Sequence, residues 1–471
     1  MNLVLVGVLG YVVVQLGIGA YVSRRIRTED DYLVAGRSLG YVLSTFTIFA
    51  TWFGAETCIG AAGVIYAYGL SGASADPFGY GLCLVLMGLV FAVPLWRRRL
   101  TTLADLFRQR FSPVVERTAV LLLVPTSLLW AAAQIRAFGQ VLSASSGLAI
   151  WMTITIAALV VIVYTVFGGL LADAWTDVLQ GAALMVGLLV VFVAVVRHTG
   201  LSAFEQIGQA RLQPFGDGTP LLATLEAWAI PVCGSVLAAE LVARVIAARS
   251  PQVAQRSALA AAGVYLSFGL IPVSIGLLGP TLLPGLAEPE QVLPLVAQRF
   301  LPTVLYTVFA GALVSAILST VDSALLAASS LVSHNVLVPL RPGTTERDKI
   351  RFARLGVVVF GLLAYGLALQ EEGVFALVED ASAFGSAGIF VAIVFGLFTP
   401  LGGAASALAS LAAGVGTWIV GAYVLDLPYP YLASLAAALI GYLVPALVTP
   451  SGRRFLPTDR PQAESHLPST A

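Results

Sequence analysis

The sequence predicts an all-α polytopic membrane protein, with about 13 transmembrane helices around a core of two inverted five-helix halves. Three observations carry this. The chain of 471 residues is 58% hydrophobic and 11% charged, more apolar surface than a water-soluble core can bury. Its apolar residues gather into runs of the ~20 residues that cross a ~30 Å hydrocarbon layer. Two of those runs, five spans apart, are interrupted in their middles by Gly or Pro.

The runs lie near 2–22, 41–68, 77–96, 115–143, 148–167, 170–197, 220–247, 257–280, 302–336, 352–370, 376–399, 402–424 and 429–448. They are called spans 1 to 13 below. Span 1 has no basic residue before it and Arg24, Arg25 and Arg27 directly after it. That is the pattern of an uncleaved helix whose N-terminus is outside. In this orientation the cytoplasmic segments hold 21 of the 25 basic residues, among them Arg37, Arg97, Arg244, Arg249, Arg256 and Lys349. The opposite side keeps Arg136, Arg197, Arg211 and Arg299. The bias predicts a cytoplasmic C-terminus, in a bacterial-type inner membrane. Residues 1–36 are read as an N-terminal span and loop, and 37–400 as the core, with repeats near 41–197 and 220–399. Two further spans occupy 401–450, and 451–471 is expected to be a disordered tail with no soluble domain.

Composition excludes several functions. Net charge is zero and no basic block points to nucleic acid. Cys58, Cys83 and Cys233 sit in apolar runs without metal-like spacing, and three histidines are too few and scattered for a metal site. No nucleophile–base pair, metal cluster or phosphate loop is visible, so neither an enzyme nor an organic cofactor is expected.

The interrupted runs pose the functional question. ATWFGAETCIG at 50–60 places Glu56 between Gly54 and Gly60 at membrane depth, and AWAIPVCGSVLAAE in span 7 carries Pro231 and Gly234. A five-span unit repeated in sequence must be inverted in the membrane. Broken helices in matching places of inverted halves mark a transporter site at the midplane. Their freed carbonyls are tolerated only where they line a cavity. In SAILSTVDS, Ala316, Ser319, Thr320 and Ser323 fall at i, i+3, i+4 and i+7, on one face of span 9. Such a face either offers hard oxygens to an alkali ion or lets two helices approach closely.

Intramembrane carboxylates are functional candidates by default, and Asp177 and Asp322 both fall within spans. Asp76 before Pro77 reads first as a helix N-cap and second as a ligand. Arg136 is the one basic residue well inside a span. Helix rise puts it near the outer interface, unless tilt lowers it into a cavity.

Five blocks carry a resemblance: DDYLVAGRSLG at 30–40, GGLLADAWTDVLQG at 168–181, ELVARVIAARS at 240–250, SAILSTVDSALLAASS at 315–330 and GLFTPLGGAASALASLAAG ending at Gly414. In this order they are similar to blocks of the sodium–solute symporter family. The resemblance implies a leucine-transporter-type fold and sodium-driven uptake of a small organic solute by alternating access. It implies a sodium held by the carbonyls of Ala50 and Phe53 with Ala316, Ser319 and Thr320. A second cation or proton site maps to Asp177, Ser319, Asp322 and Ser323. Asp322 stands where relatives have a hydroxyl, and two close carboxylates cannot both ionise without a cation between them. Either sodium bridges them or one carries a proton. Glu56, Thr57, Asp76 and Arg136 map to the solute cavity. Arg136 opposite Glu56 or Asp76 would clamp a zwitterion, so an amino acid or small monocarboxylate is the expected solute, and a sugar the second choice. Alternatively Arg136 pairs with Glu56 and the charges say nothing of the solute. Proton coupling and a transporter-like sensor module are further alternatives. The expected partners are the solute, Na+ and the bilayer, with oligomeric state left open.

Overall fold

The computed structural model describes residues 27–73, 76–167, 169–215, 218–370 and 373–448, with isolated positions at 10, 13 and 17. It is all-helical, with no strand among the described residues. Eight helices are long and apolar enough to cross a membrane. Three bent pairs and the helix Ile150–Phe167 occupy four further runs, so 12 of the 13 runs are helical. Span 1 lies almost wholly outside the described residues. So do Arg24 and Arg25 after it and the tail after Val448.

The two interrupted runs are bent almost identically. Tyr41–Trp52 meets Glu56–Tyr68 at 44°, and Leu221–Gly234 meets Ala239–Ile246 at 43°. Each bend carries a widened π-helical turn, Glu56–Ala61 in one half and Ile230–Gly234 in the other. Such turns displace backbone hydrogen bonds and recur at functional sites. A third bend, unforeseen in the sequence, divides span 11 into Val374–Ala383 and Ser386–Phe398 at 40°. Gly385 there takes a left-handed conformation, φ 66°.

The connections that alternate threading predicts on one face do meet at one end of the bundle. Leu39 pairs with Ala248 in an isolated parallel bridge. Arg37 Nη2 donates to Leu100 O at 2.7 Å, and Trp96 Nε1 to Ala248 O at 2.6 Å. His334 and Lys349 meet Glu29 at 3.0 and 3.4 Å. Most of the basic residues belong to this end, called the basic end below. At the opposite end Arg211 Nη2 donates to Ile65 O and Tyr66 O, and Glu290 accepts from Val374 N at 2.6 Å.

Arg244 departs from the expectation of a solvent-facing basic loop. It is only 1% exposed, because Ala239–Ile246 continues span 7 into the bundle interior. On the outside, Leu159, Val186 and Ile440 are each at least 60% exposed, an apolar girdle suited to lipid.

Candidate functional site

The break in span 2 shows what its glycine and glutamate do. Helix Tyr41–Trp52 ends at Phe53, whose φ of −94° and ψ of 79° turn the backbone out of the helix. Glu56 folds back over the gap. Its Oε1 accepts from Gly54 N at 3.1 Å and its Oε2 from Gln134 Nε2 at 3.1 Å. Gln134 Oε1 in turn accepts from Ala55 N at 3.2 Å. The orphaned amides of the broken helix are thus met by one carboxylate and one amide. Position 54 has no room for a side chain: a Cβ there would lie 2.6 Å from Thr320 Oγ1 and 3.1 Å from Gln134 Oε1. Gly234 repeats this in the other half, where a Cβ would lie 2.2 Å from Ser382 O.

Span 9, Thr303–Val332, is buried over most of its length and brings its small polar face to this break. Thr320 Oγ1 lies 3.0 Å from Ala50 O and 3.3 Å from Ala316 O. Two carbonyls and a hydroxyl therefore converge at one point, beside the turn at Phe53. This hard-oxygen set fits an alkali cation. Ser319 is brought near but directed elsewhere, since its hydroxyl donates to Asp177 Oδ1.

Asp177, in span 6, also accepts from Thr47 Oγ1 at 2.5 Å, so it joins spans 2, 6 and 9. Ser323 belongs to a different set. Its Oγ donates to Ser319 O at 2.7 Å and meets Arg244 Nη2, which also pairs with Asp173. Asp322 accepts from Thr165 Oγ1 of span 5 at 2.7 Å and lies beside Asp173. The four residues expected in one second cation site are thus divided between two neighbouring clusters. The reason is helical: Ser323 lies one turn beyond Ser319 on span 9 and meets Asp173, one turn before Asp177 on span 6, while Asp322, turned about 100° from Ser323, reaches the same Asp173 from the side of span 5.

The solute residues also divide. Thr57 Oγ1 lies 3.1 Å from Asp76 Oδ1 and 2.6 Å from Tyr265 OH. Asp76 is not the N-cap that Pro77 led one to expect. Helix Phe78–Leu86 has no side-chain cap bond, and the Asp76 carboxylate turns inward to the Thr57 and Tyr265 hydroxyls. Around these groups stand aromatic rings. Trp52 stacks on Trp130 with centroids 5.3 Å apart, Tyr80 meets Trp130 edge-on at 6.2 Å, and Phe53 meets Tyr265 edge-on at 5.3 Å. Tyr80 OH reaches Ser382 Oγ of span 11 at 3.2 Å, and Ser382 reaches Ser235 of span 7 at 2.9 Å. The buried Trp130 Nε1 has no partner among the described residues. Neither Glu56 nor Asp76 has an ion-pair partner among the described residues.

Arg136 does not join them. Its Nη1 donates to Ala368 O at 3.2 Å, and its charge acts on Glu290 in the turn Pro289–Gln291. No ion pair joins it to Glu56, and the zwitterion clamp is not assembled. The sequence reading missed Thr47, Gln134, Thr165, Asp173 and Arg244, and the aromatic residues Trp52, Tyr80, Trp130 and Tyr265. Asp173 had a signal, one helical turn before Asp177 on the same face. Gln134 had a weaker one, as a buried-type amide two residues from Arg136.

Two bent helices in inverted halves, with cation-type oxygens at one of them and a buried cluster of polar and aromatic side chains between them, define a membrane transporter rather than an enzyme. Residues 32–414 match the sodium:solute symporter family, and the chain belongs to that family. Sodium-coupled symport is the family's activity, and Na+ its coupling ion. The chain is 28% identical to the human high affinity choline transporter 1, over 86% of this chain and 73% of that protein. It is 26% identical to the sodium/pantothenate symporter of Escherichia coli (strain K12), over 98% of both chains. A solved structure of a Na+-coupled sialic acid symporter, in a substrate-bound outward-open state, superposes with a TM-score of 0.83. It covers 95% of this chain and 98% of that one at 20% identity, a likeness of fold.

Proposed function

We propose that this protein carries out sodium-coupled uptake of a small organic cation, with a choline-like quaternary ammonium as the solute class. One observation carries the reading: two buried carboxylates, Glu56 and Asp76, stand without a basic partner among the described residues, beside the stacked Trp52–Trp130 pair and Tyr80. Uncompensated carboxylates at membrane depth are costly, and cations offset that cost. Aromatic faces attract a quaternary ammonium by roughly 0.5–2 kcal/mol per ring. The free Trp130 N–H offers a donor to a solute hydroxyl. The choline transporters among the relatives agree with this class. Arg136, on which an amino acid or monocarboxylate depended, is engaged elsewhere.

In this reading Ala50, Phe53, Ala316 and Thr320 hold the sodium, with Ser319 at its edge. Asp177, Ser323 and Asp322 with Asp173 form the second, proton- or cation-binding region. Glu56, Thr57 and Asp76 face the solute. The basic end is cytoplasmic, as in the inner membrane of a bacterium. Glu56 links the two sites, because it closes the same broken turn whose carbonyls bind sodium. Sodium binding then orders the wall against which the solute rests.

The test is uptake into proteoliposomes of labelled choline, proline, glucose and a monocarboxylate, with and without an inward sodium gradient. Sodium-dependent accumulation of choline is expected. Sodium-driven accumulation of proline, glucose or the monocarboxylate, with choline neither carried nor competing, would overturn the cation reading.

A further inference from the structure

We infer that a groove at the basic end, beside the start of span 2, is a binding site for an anionic phospholipid headgroup. The groove has a volume of about 620 Å³ and is lined by Tyr41, Arg249, Gln252, Arg256 and Leu259, among others. It lies between the first residue of helix Tyr41–Trp52 and the first turns of helix Pro251–Leu282. Arg249 and Arg256 are both exposed, and neither has an acidic partner among the described residues. The Arg249 guanidinium is held near Gly40, where a Cβ would lie 3.9 Å from its Nη1.

The rest of the surface fits a lipid rather than a soluble anion. Tyr41 is 45% exposed and its neighbour Val42 58%. Along helix Pro251–Leu282, Leu259 packs against Gly88, and beside Gly88 Leu89 is 62% exposed. An apolar strip therefore runs from the two arginines along the lipid-facing side of spans 2, 3 and 8. A phosphate between Arg249 and Arg256 with acyl chains along that strip satisfies both parts of the surface.

The position has a mechanical meaning. Leu39 N donates to Ala247 O at 3.2 Å, and Arg249 N donates to Leu39 O at 2.9 Å. Ser257 Oγ donates to Tyr41 O at 3.2 Å. These bonds tie the basic ends of the two broken helices, spans 2 and 7, to span 8. A headgroup clamped by Arg249 and Arg256 braces that junction, so it bears on a rearrangement in which spans 2 and 7 move as a unit.

The experiment is native mass spectrometry of the purified protein with phosphatidylglycerol, with phosphatidylcholine, and with phosphatidylglycerol plus excess inorganic phosphate. Wild type should retain phosphatidylglycerol in preference to phosphatidylcholine. The double variant Arg249→Gln/Arg256→Gln should lose that preference by about thirtyfold, from roughly fivefold per interfacial arginine. A control, Arg97→Gln/Arg347→Gln, removes the same charge from other exposed positions and should keep the preference. Equal losses in both variants would reduce the effect to bulk charge and overturn the site, as would full retention in the groove variant. Displacement of the lipid by inorganic phosphate would assign the groove to a soluble anion instead. Retention of phosphatidylcholine and an unchanged unfolding temperature show that the groove variant is folded. If it is not, Arg256→Gln alone, exposed and clear of the Leu39 junction, takes its place, with a loss of about fivefold expected.

Discussion

Thr320 Oγ1 sits 3.0 Å from the carbonyl oxygen of Ala50, across the line where span 9 meets the broken turn of span 2. This contact joins the two elements that hold the proposed sodium. Thr320→Ala removes its one side-chain oxygen while leaving span 9 helical. The sodium concentration for half-maximal binding should rise about tenfold, the factor given by ~1.4 kcal/mol of lost coordination. Tryptophan fluorescence, with Trp52 and Trp130 close to the site, reads this without transport. Unchanged sodium affinity would remove Thr320 from the site.

Gly54→Ala should act on the same ion from the other side. Its methyl group would stand 2.6 Å from Thr320 Oγ1, so the hydroxyl must move away from Ala50. Sodium affinity should fall at least as far as in Thr320→Ala. Combining the two changes should cost less than the sum, because removing the hydroxyl relieves the clash. Strict additivity would show that Gly54 acts through the fold alone.

Arg136→Lys gives an unusual expectation for an arginine within a span. The guanidinium binds Ala368 O and faces Glu290, away from Glu56 and Asp76. Solute affinity should therefore change by less than about twofold, within the error of ordinary surface substitutions. A loss of tenfold or more, measured by equilibrium binding of choline, would restore Arg136 to the solute site.

Glu290 predicts a pH dependence at the end opposite the basic one. Its carboxylate accepts from Val374 N at 2.6 Å and from Gln140 Nε2 at 3.1 Å, fastening span 11 to span 4. Burial raises its pKa, against the pull of the Val374 N–H, Arg136 and Gln140 towards lower values; Glu288 adds a small push upwards. When this latch opens, Glu290 meets water and its pKa returns to the ordinary range. The closed latch is therefore favoured most below the ordinary glutamate value, and loses that advantage as pH rises to the raised value. Hydrogen exchange at the Val374 amide, corrected for the intrinsic effect of pH, should show protection falling across that window. Glu290→Gln keeps an acceptor and should flatten the profile. A falling profile in both proteins would place the titrating group elsewhere.

The sequence disclosed the elements more readily than their side-chain partners. The runs of apolar residues and the paired breaks near Gly54 and Pro231 follow from backbone chemistry that is local in sequence. Span 11 hid its bend because Gly385 stands there without a proline, and a single glycine in a span does not by itself mark a break. At the site, Thr320 opposite Ala50 was legible from i, i+3, i+4 spacing together with the family resemblance. The direction of Arg136 was not, because it depends on Ala368 and Glu290, more than 150 residues away in the chain. Asp76 misled for the opposite reason. Its local motif with Pro77 is that of a cap, and the hydroxyls of Thr57 and Tyr265 outcompete it only once the bundle assembles.

Asp322 offers the most discriminating prediction. It lies beside Asp173, which is already paired with Arg244, while Asp177 is satisfied by the hydroxyls of Thr47 and Ser319. One guanidinium cannot neutralise three buried carboxylates, so the remaining charge requires either a cation or a proton. If a proton supplies it, sodium must compete with that proton, and sodium affinity should weaken as pH falls from about 8 to about 6. Asp322→Asn keeps the shape and an acceptor for Thr165, and removes the competing group, so its sodium affinity should not vary with pH. If sodium itself supplies the charge, wild type should be flat over that range, and Asp322→Asn should bind sodium more weakly at every pH. The geometry favours the proton, because Asp322 is turned from the Ser319–Ser323 face towards Thr165 and no second hydroxyl is bonded to it among the described residues. Sodium-dependent fluorescence of both proteins across the range separates the cases. Flat profiles of equal affinity in the two proteins would leave Asp322 without a part in coupling.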